Sequence, residues 1–231
     1  MTQHTLKAFD AELKELHALI VEMVSLLVCQ LEQTLAALDD GDMEMALKIN
    51  ADDAKVNSYE HLIDAQVINV LARHCPVADD LRTVISIAKI SYELEKIGNE
   101  IADFARLVSV LFDPKTSDPN RNLLADIVKI AILVKKMLSK LLLAFDKAES
   151  EQAYLLLHYN HECEAELLAG IKHQLTYVMN DVRLIGRAMD IMHILKSLER
   201  CGEHSRNIAE YLIYMLEGVD VRHSGISYDM E

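Results

Sequence analysis

LEKIGNEIADFA, residues 94–105, lies in helix-forming sequence yet carries a glycine at Gly98 and an acid-amide-acid series at Glu95, Asn99 and Asp103. A glycine inside a helix costs roughly 1 kcal/mol relative to alanine, so its presence needs a reason. On a helical wheel Leu94, Ile97, Gly98, Ile101, Ala105 and Val108 share one stripe about 100° wide, the face a helix turns to a core. Within that stripe a missing side chain lets a neighbouring helix approach closely. Glu95 flanks the stripe, and Asn99 and Asp103 rotate progressively outward.

The segment returns 104 residues later as LERCGEHSRNIA, residues 198–209, with Leu, Glu, Gly and Ala in register and Arg200 matching Lys96. Working outward from the two copies, apolar periodicity divides the chain into six long helical stretches. They run about Thr5–Asp39, Met43–His74, Val77–Phe112, Arg121–Lys147, Glu149–Val178 and Asn180–Glu217. The turn DDGD at 39–42 ends the first, Gly41 taking the left-handed position. Cys75-Pro76 stops the second. DPKTSDPN at 113–120 is the one clear linker. Helices of this length span about 40–55 Å and fold back as antiparallel bundles. The expected fold is all-α, with six long helices in two tandem three-helix bundles. Residues 1–112 form the first bundle and 121–217 the second, with a tail at 218–231. Stacking the halves buries apolar surface that each would expose.

Composition agrees. Half the residues are hydrophobic, and only 7 Gly and 3 Pro interrupt the chain. The formal charge of −14 argues against nucleic acid and against electrostatic adhesion to anionic lipid. No tryptophan and few aromatics are available for base stacking. Cys29, Cys75, Cys163 and Cys201 are scattered without a C-x-x-C pair, the pattern of reduced thiols in a cytosolic protein. The polar N-terminus lacks the apolar core of a signal peptide, and no uncharged run approaches the ~18 residues of a membrane span. A soluble, cytoplasmic protein is expected.

The polar series carries the candidate chemistry. Asp53, Asn57, Glu60 and Asp64 are spaced four, three and four apart, which aligns them within about 60° on the second helix. Beside Glu95 and Asn99 they would make a surface cluster of carboxylates and amides. Like charges so gathered repel unless a cation compensates them. Divalent or trivalent metals favour such oxygen-rich sites. In the second half the third-helix series becomes Glu199, Glu203 and Asn207, with His204 adjacent. A displacement of 104 carries Asn57 to His161, Glu60 to Glu164 and Asp64 to Leu168, so only part of the ligand set is kept.

Two L-E-[RK]-x-G-[acid/amide] segments in tandem bundles resemble the PhoU family of phosphate-uptake regulators. CPVADDLRTVISIAKISYELEKIG, residues 75–98, and LERCGEHSRNIAEYLIYMLEGVDVRH, residues 198–223, support the resemblance, which covers about residues 5–223. It implies E/D-x-x-x-D motifs that bind multinuclear metal clusters on the bundle surface. Carried over, these are Glu95 and Asn99, Glu199 and Glu203, with Asp53, Asn57, Glu60 and Asp64 from the second helix. Asn99 stands where an aspartate is expected, Glu203 lengthens another, and Cys201 takes an isoleucine position. Iron, zinc, manganese and magnesium are the candidate ions. The resemblance also implies a negative regulator of the phosphate-starvation response. Such a protein acts as an adaptor between the phosphate transporter ATPase and a sensor histidine kinase, reaching the membrane only through those partners. Homodimerisation is expected, because long bundles leave flat faces.

Catalysis finds no motif. There is no G-x-x-x-x-G-K-[ST], no G-x-S-x-G and no H-E-x-x-H. No Glu precedes any of the 10 histidines by three residues, as an inward di-iron site requires; Asp190-x-x-His193 and Asp220-x-x-His223 come nearest. Direct capture of phosphate by an acidic face is unfavourable unless bound metal reverses the local charge. The remaining reading is a metal-binding or oligomeric helical scaffold accessory to another phosphate carrier, with Met189, Met192 and Met215 as partner-groove candidates.

Overall fold

The structure, a computed structural model, describes residues 2–112, 121–147 and 149–222. The elements are α1 (Thr2–Asp40), α2 (Met43–Ala51), α3 (Asp53–His74), α4 (Ala78–Leu111), α5 (Arg121–Lys147), α6 (Ser150–Asn180) and α7 (Ile185–Glu217), with one turn of 3₁₀ helix at Val182–Leu184 before α7. The expected second stretch is therefore two helices, broken at Asp52. There the Asp52 N–H is shared between the carbonyls of Lys48 and Ile49, the bifurcated pattern of a helix end. Asp42 opens α2 by accepting a hydrogen bond from the Met45 N–H at 2.9 Å, a side-chain N-cap. Gly41 takes φ +71°, as its place in the DDGD turn requires. Cys75 ends α3 in the left-handed region at φ 46°, directly before Pro76, which has no N–H to continue the ladder.

In the first half α1 and the α2–α3 pair pack on α4, and in the second α5 and α6 pack on α7. The halves join along α4 and α7, with α1 also touching α5. One continuous apolar core runs through both halves, so stacking buries what each bundle would leave exposed. α1 holds a stretch of mean hydropathy 1.5 over 18 residues, apolar enough for a membrane span. Its stripe of Leu16, Ile20, Met23, Leu27 and Leu31 is buried in the first bundle.

α4 and α7 run antiparallel. Arg82 meets the Met215 carbonyl, Arg200 meets Glu100, and Arg187 meets the Leu111 carbonyl. Midway, Cys201 Sγ lies 4.0 Å from the carbonyl oxygen of Ile97. These residues are 104 apart, equivalent positions of the repeat, so a pseudo-twofold axis crosses the seam there.

The repeat is not uniform. In α4 and α7 buried positions recur at 104: Ile90 with Ile194, Leu94 with Leu198, Ile97 with Cys201, Phe104 with Ile208. In the helices that precede α4 and α7 they recur at 107: Ile20 with Ile127, Leu27 with Val134, Ala46 with Ala153, Ile49 with Leu156, Val56 with Cys163. The three-residue difference falls at Cys75-Pro76-Val77, the non-helical link between α3 and α4.

Candidate functional site

Gly98 decides how the first site is built. A Cβ placed on it would lie 2.8 Å from Val56 Cγ1, nearer than carbon atoms tolerate. The glycine thus lets α3 press against α4, bringing the polar edges of both helices together. Asn57 donates to Asp53 Oδ2 at 3.3 Å on α3, and Asn99 donates to Glu95 Oε1 at 2.7 Å on α4. Each amide is tied to the acid one turn before it. The opposite oxygens, Asp53 Oδ1, Asn57 Oδ1 and Glu95 Oε2, are buried without a hydrogen-bond partner. Glu95 Oε2 does lie 2.8 Å from Lys96 Nζ.

Electrostatics links the two helices. Burial pushes the Asp53 carboxyl above the usual carboxylate range, the Asn57 hydrogen bond opposes this, and the nearby Glu95 charge adds to it. Burial likewise raises Glu60, reinforced by Glu95 and Asp64 and opposed by His61 and Lys96. Asp53 and Glu60 of α3 thus both feel the Glu95 charge across the α3–α4 groove. Asp64 is exposed. Asp103 lies apart, its carboxylate held by Arg106 at 3.0 Å.

The second half differs. Because the second helices repeat at 107, His161 is not the counterpart of Asn57, nor Leu168 that of Asp64, and these assignments are corrected. Glu164 matches Asn57, Asn160 matches Asp53, Leu167 matches Glu60 and Ile171 matches Asp64. His161 is largely exposed and lies 3.7 Å from Glu164 on the same helix. On α7, Lys196 holds Glu199 at 2.5 Å, and Glu203 is exposed. Asn207 belongs to the seam: its amide donates to Glu93 at 3.1 Å, and His204 Nδ1 lies 2.7 Å from the same oxygen. Among the described residues no three His, Cys, Asp or Glu side chains converge into a preformed metal cage. The first set presents acceptor oxygens on Asp53, Asn57 and Glu95, and Lys96 Nζ is the cationic group the structure places against Glu95.

The PhoU domain family matches residues 20–108 and 127–212. The two matches begin 107 apart and end 104 apart, the same change of register seen in the buried positions. The chain belongs to the PhoU family. The phosphate-specific transport system accessory protein PhoU homolog of Pseudomonas aeruginosa is 34% identical over 98% of this chain and 93% of its own length. The PhoU accessory protein of Escherichia coli K12 is 28% identical over 97% of this chain and 92% of its own length. Among solved structures, PhoU from Pseudomonas aeruginosa superposes with a TM-score of 0.86 at 34% identity, covering 91% of this chain and 100% of its own. The phosphate transport system regulatory protein PhoU from Streptococcus pneumoniae reaches 0.82 at 27% identity, covering 92% and 99%.

Within this PhoU-family chain two polar features escape the motif reading. At the seam, Arg200 makes a paired contact with Glu100, Nε to Oε1 and Nη2 to Oε2, both 2.6 Å; a fork-to-carboxylate geometry fixes orientation as well as charge. In the second bundle, buried Asp126 accepts from Gln174 Nε2 at 3.4 Å and lies 3.1 Å from His173 Nδ1. At 107, Asp126 and Gln174 correspond to Leu19 and Val67. Only the corrected register reveals this polar pair at positions the first half fills with apolar side chains.

Proposed function

We propose that this chain is a negative regulator of phosphate uptake and of the phosphate-starvation response. It acts in the cytoplasm as an adaptor between the ATPase of a phosphate transporter and a sensor histidine kinase, and catalyses no reaction itself. The observation that carries this reading is near-full-length relationship to accessory proteins of the phosphate-specific transport system. A duplicated helical body built on one continuous apolar core is suited to holding two partners.

The acid-amide groove of α3 and α4 takes a divalent or trivalent metal ion on Asp53, Asn57, Glu60, Glu95 and Asn99. Glu164, Glu199 and Glu203 form the corresponding set of the second half. A bound cation supplies positive charge to carboxylates that burial and mutual repulsion otherwise disfavour. Asp53 and Glu95 offer charge, Asn57 and Asn99 orient them, and Gly98 sets the distance between the helices.

Deleting the gene is expected to switch on a phosphate-starvation phosphatase reporter in phosphate-replete cells; unchanged expression refutes the regulatory reading. Affinity capture from those cells is expected to recover the transporter ATPase and the sensor kinase, and recovery of neither refutes the adaptor role. Elemental analysis after reconstitution is expected to find metal, reduced in part by Glu95→Ala and by Glu199→Ala.

A further inference from the structure

The acid-amide groove holds one cation of its own. Lys96 Nζ lies 2.8 Å from Glu95 Oε2, the oxygen left over when Asn99 donates to Glu95 Oε1. The ammonium is close enough to neutralise charge, yet Glu95 Oε2 has no aligned hydrogen bond. Lys96 on α4 and Glu60 on α3 also feel each other's charge. Tyr92, one turn earlier on α4, places its ring under the same ammonium, 4.7 Å from the centroid. An ordinary surface lysine extends into water and gains little from a single pair. Here one ring and two carboxylates draw the head back over the groove, and the side chain is 35% exposed.

The internal repeat explains why this residue is available. Its counterpart at 104, Arg200, spans the seam and holds Glu100 through both oxygens. The same symmetry would send Lys96 to residue 204, a histidine already set against Glu93. With no acid to meet across the seam, Lys96 turns to Glu95 on its own helix. A planar guanidinium fixes a geometry, whereas an ammonium on a flexible stem is a point charge that moves readily.

We propose that Lys96 is a displaceable counter-ion of the α3–α4 groove, holding Glu95 in the metal-free chain and swinging out to solvent when a divalent cation takes its place. The inference rests on the metal reading of the groove and adds what the ion must overcome to bind. Asp53 Oδ1 and Asn57 Oδ1, buried without hydrogen-bond partners, offer directed oxygens that an ammonium set on Glu95 leaves unused. Ammonium and metal do not both stay beside Glu95, because like charges that close repel. Lys96 therefore sets the metal affinity. Its release beside the exposed Tyr92 ring changes that surface only when metal is bound.

The test is Mn²⁺ titration of the metal-depleted full chain, with free Mn²⁺ read by electron paramagnetic resonance. Lys96→Gln, and Lys96→Met with its stem kept over Tyr92, are each expected to bind about tenfold more tightly than the parent. Lys96→Arg, which keeps the charge, should gain nothing. Adding Glu95→Gln should abolish the gain, which places it in this groove. In the parent, saturating Mn²⁺ should raise acetylation of Lys96 relative to the other lysines, measured by mass spectrometry. Circular dichroism should be unchanged throughout, since Lys96 lies outside the buried stripe. Equal affinity of parent, Lys96→Gln and Lys96→Met, a gain that survives Glu95→Gln, or acetylation indifferent to Mn²⁺ overturns the counter-ion and leaves the metal reading standing. No Mn²⁺ bound by the parent or by either variant refutes the metal reading, and the counter-ion with it.

Discussion

At Gly98 two effects compete, and their sizes decide the outcome. Alanine would gain roughly 1 kcal/mol of helix propensity, but its Cβ would press on the β-branched Val56, and overpacking costs about 1–3 kcal/mol. Gly98→Ala is expected to lower stability by about 1 kcal/mol, while in a Val56→Ala background the same change should stabilise. Urea unfolding of the four combinations checks this; equal effects in both backgrounds would count against close approach as the reason for the glycine. Asp53 and Glu60 give a pH prediction. Both carboxyls titrate higher in the folded chain than in the unfolded one, so the folded state binds more protons through the carboxylate range. Their contribution to stability falls as pH rises through that range. Metal-free protein should therefore gain more on lowering the pH from 7 to about 5 than the Asp53→Asn, Glu60→Gln variant does. Thermal melts of both across that window test it. The thiols divide by burial. Cys163 is pushed up to about 12 and Cys201 further still, chiefly by burial, whereas Cys29 and Cys75 are exposed. Alkylation of the native chain near pH 8 should modify Cys29 and Cys75 alone.

Helix by helix, the chain shows what a linear pattern carries. The stripe through Leu94, Ile97, Ile101, Ala105 and Val108 is legible because buried positions recur every three or four residues, and all of these are buried. The break at Asp52 is not legible: its backbone stays near the helical region, at φ −77° and ψ −3°, so nothing in the residue types announces it. The site was half legible. Asp53, Asn57, Glu95 and Asn99 follow from spacing on their own helices. Their counterparts on α6 do not, because three residues at Cys75-Pro76-Val77 shift the repeat by nearly a helical turn. Sequence identity at LEKIG and LERCG reports only α4 and α7. The same shift yields a prediction about α5 and α6. Asp126→Leu alone should destabilise by about 1–3 kcal/mol, since it removes the buried carboxylate that meets both Gln174 Nε2 and His173 Nδ1. Adding Gln174→Val, which copies Leu19 and Val67 of the first half, should recover that loss, as apolar replacement of buried polar pairs often does. Denaturant midpoints of the single and double variants decide it.

For the molecule as a whole, the feature that organises everything else is the axis at Ile97 and Cys201. In an interface between identical subunits, residue i faces j and j faces i, and a residue on the axis meets its own copy. The α4–α7 seam has that form although one chain supplies both sides. The seam is large, apolar at its centre and tied by Arg200 to Glu100 and by His204 and Asn207 to Glu93. Covalent continuity between residues 112 and 121 is then dispensable for assembly. A chain nicked once in that segment should migrate as one particle in native gel filtration and as two fragments after denaturation. Fragments that part under native conditions would show that the link, rather than the seam, keeps the two halves in partnership.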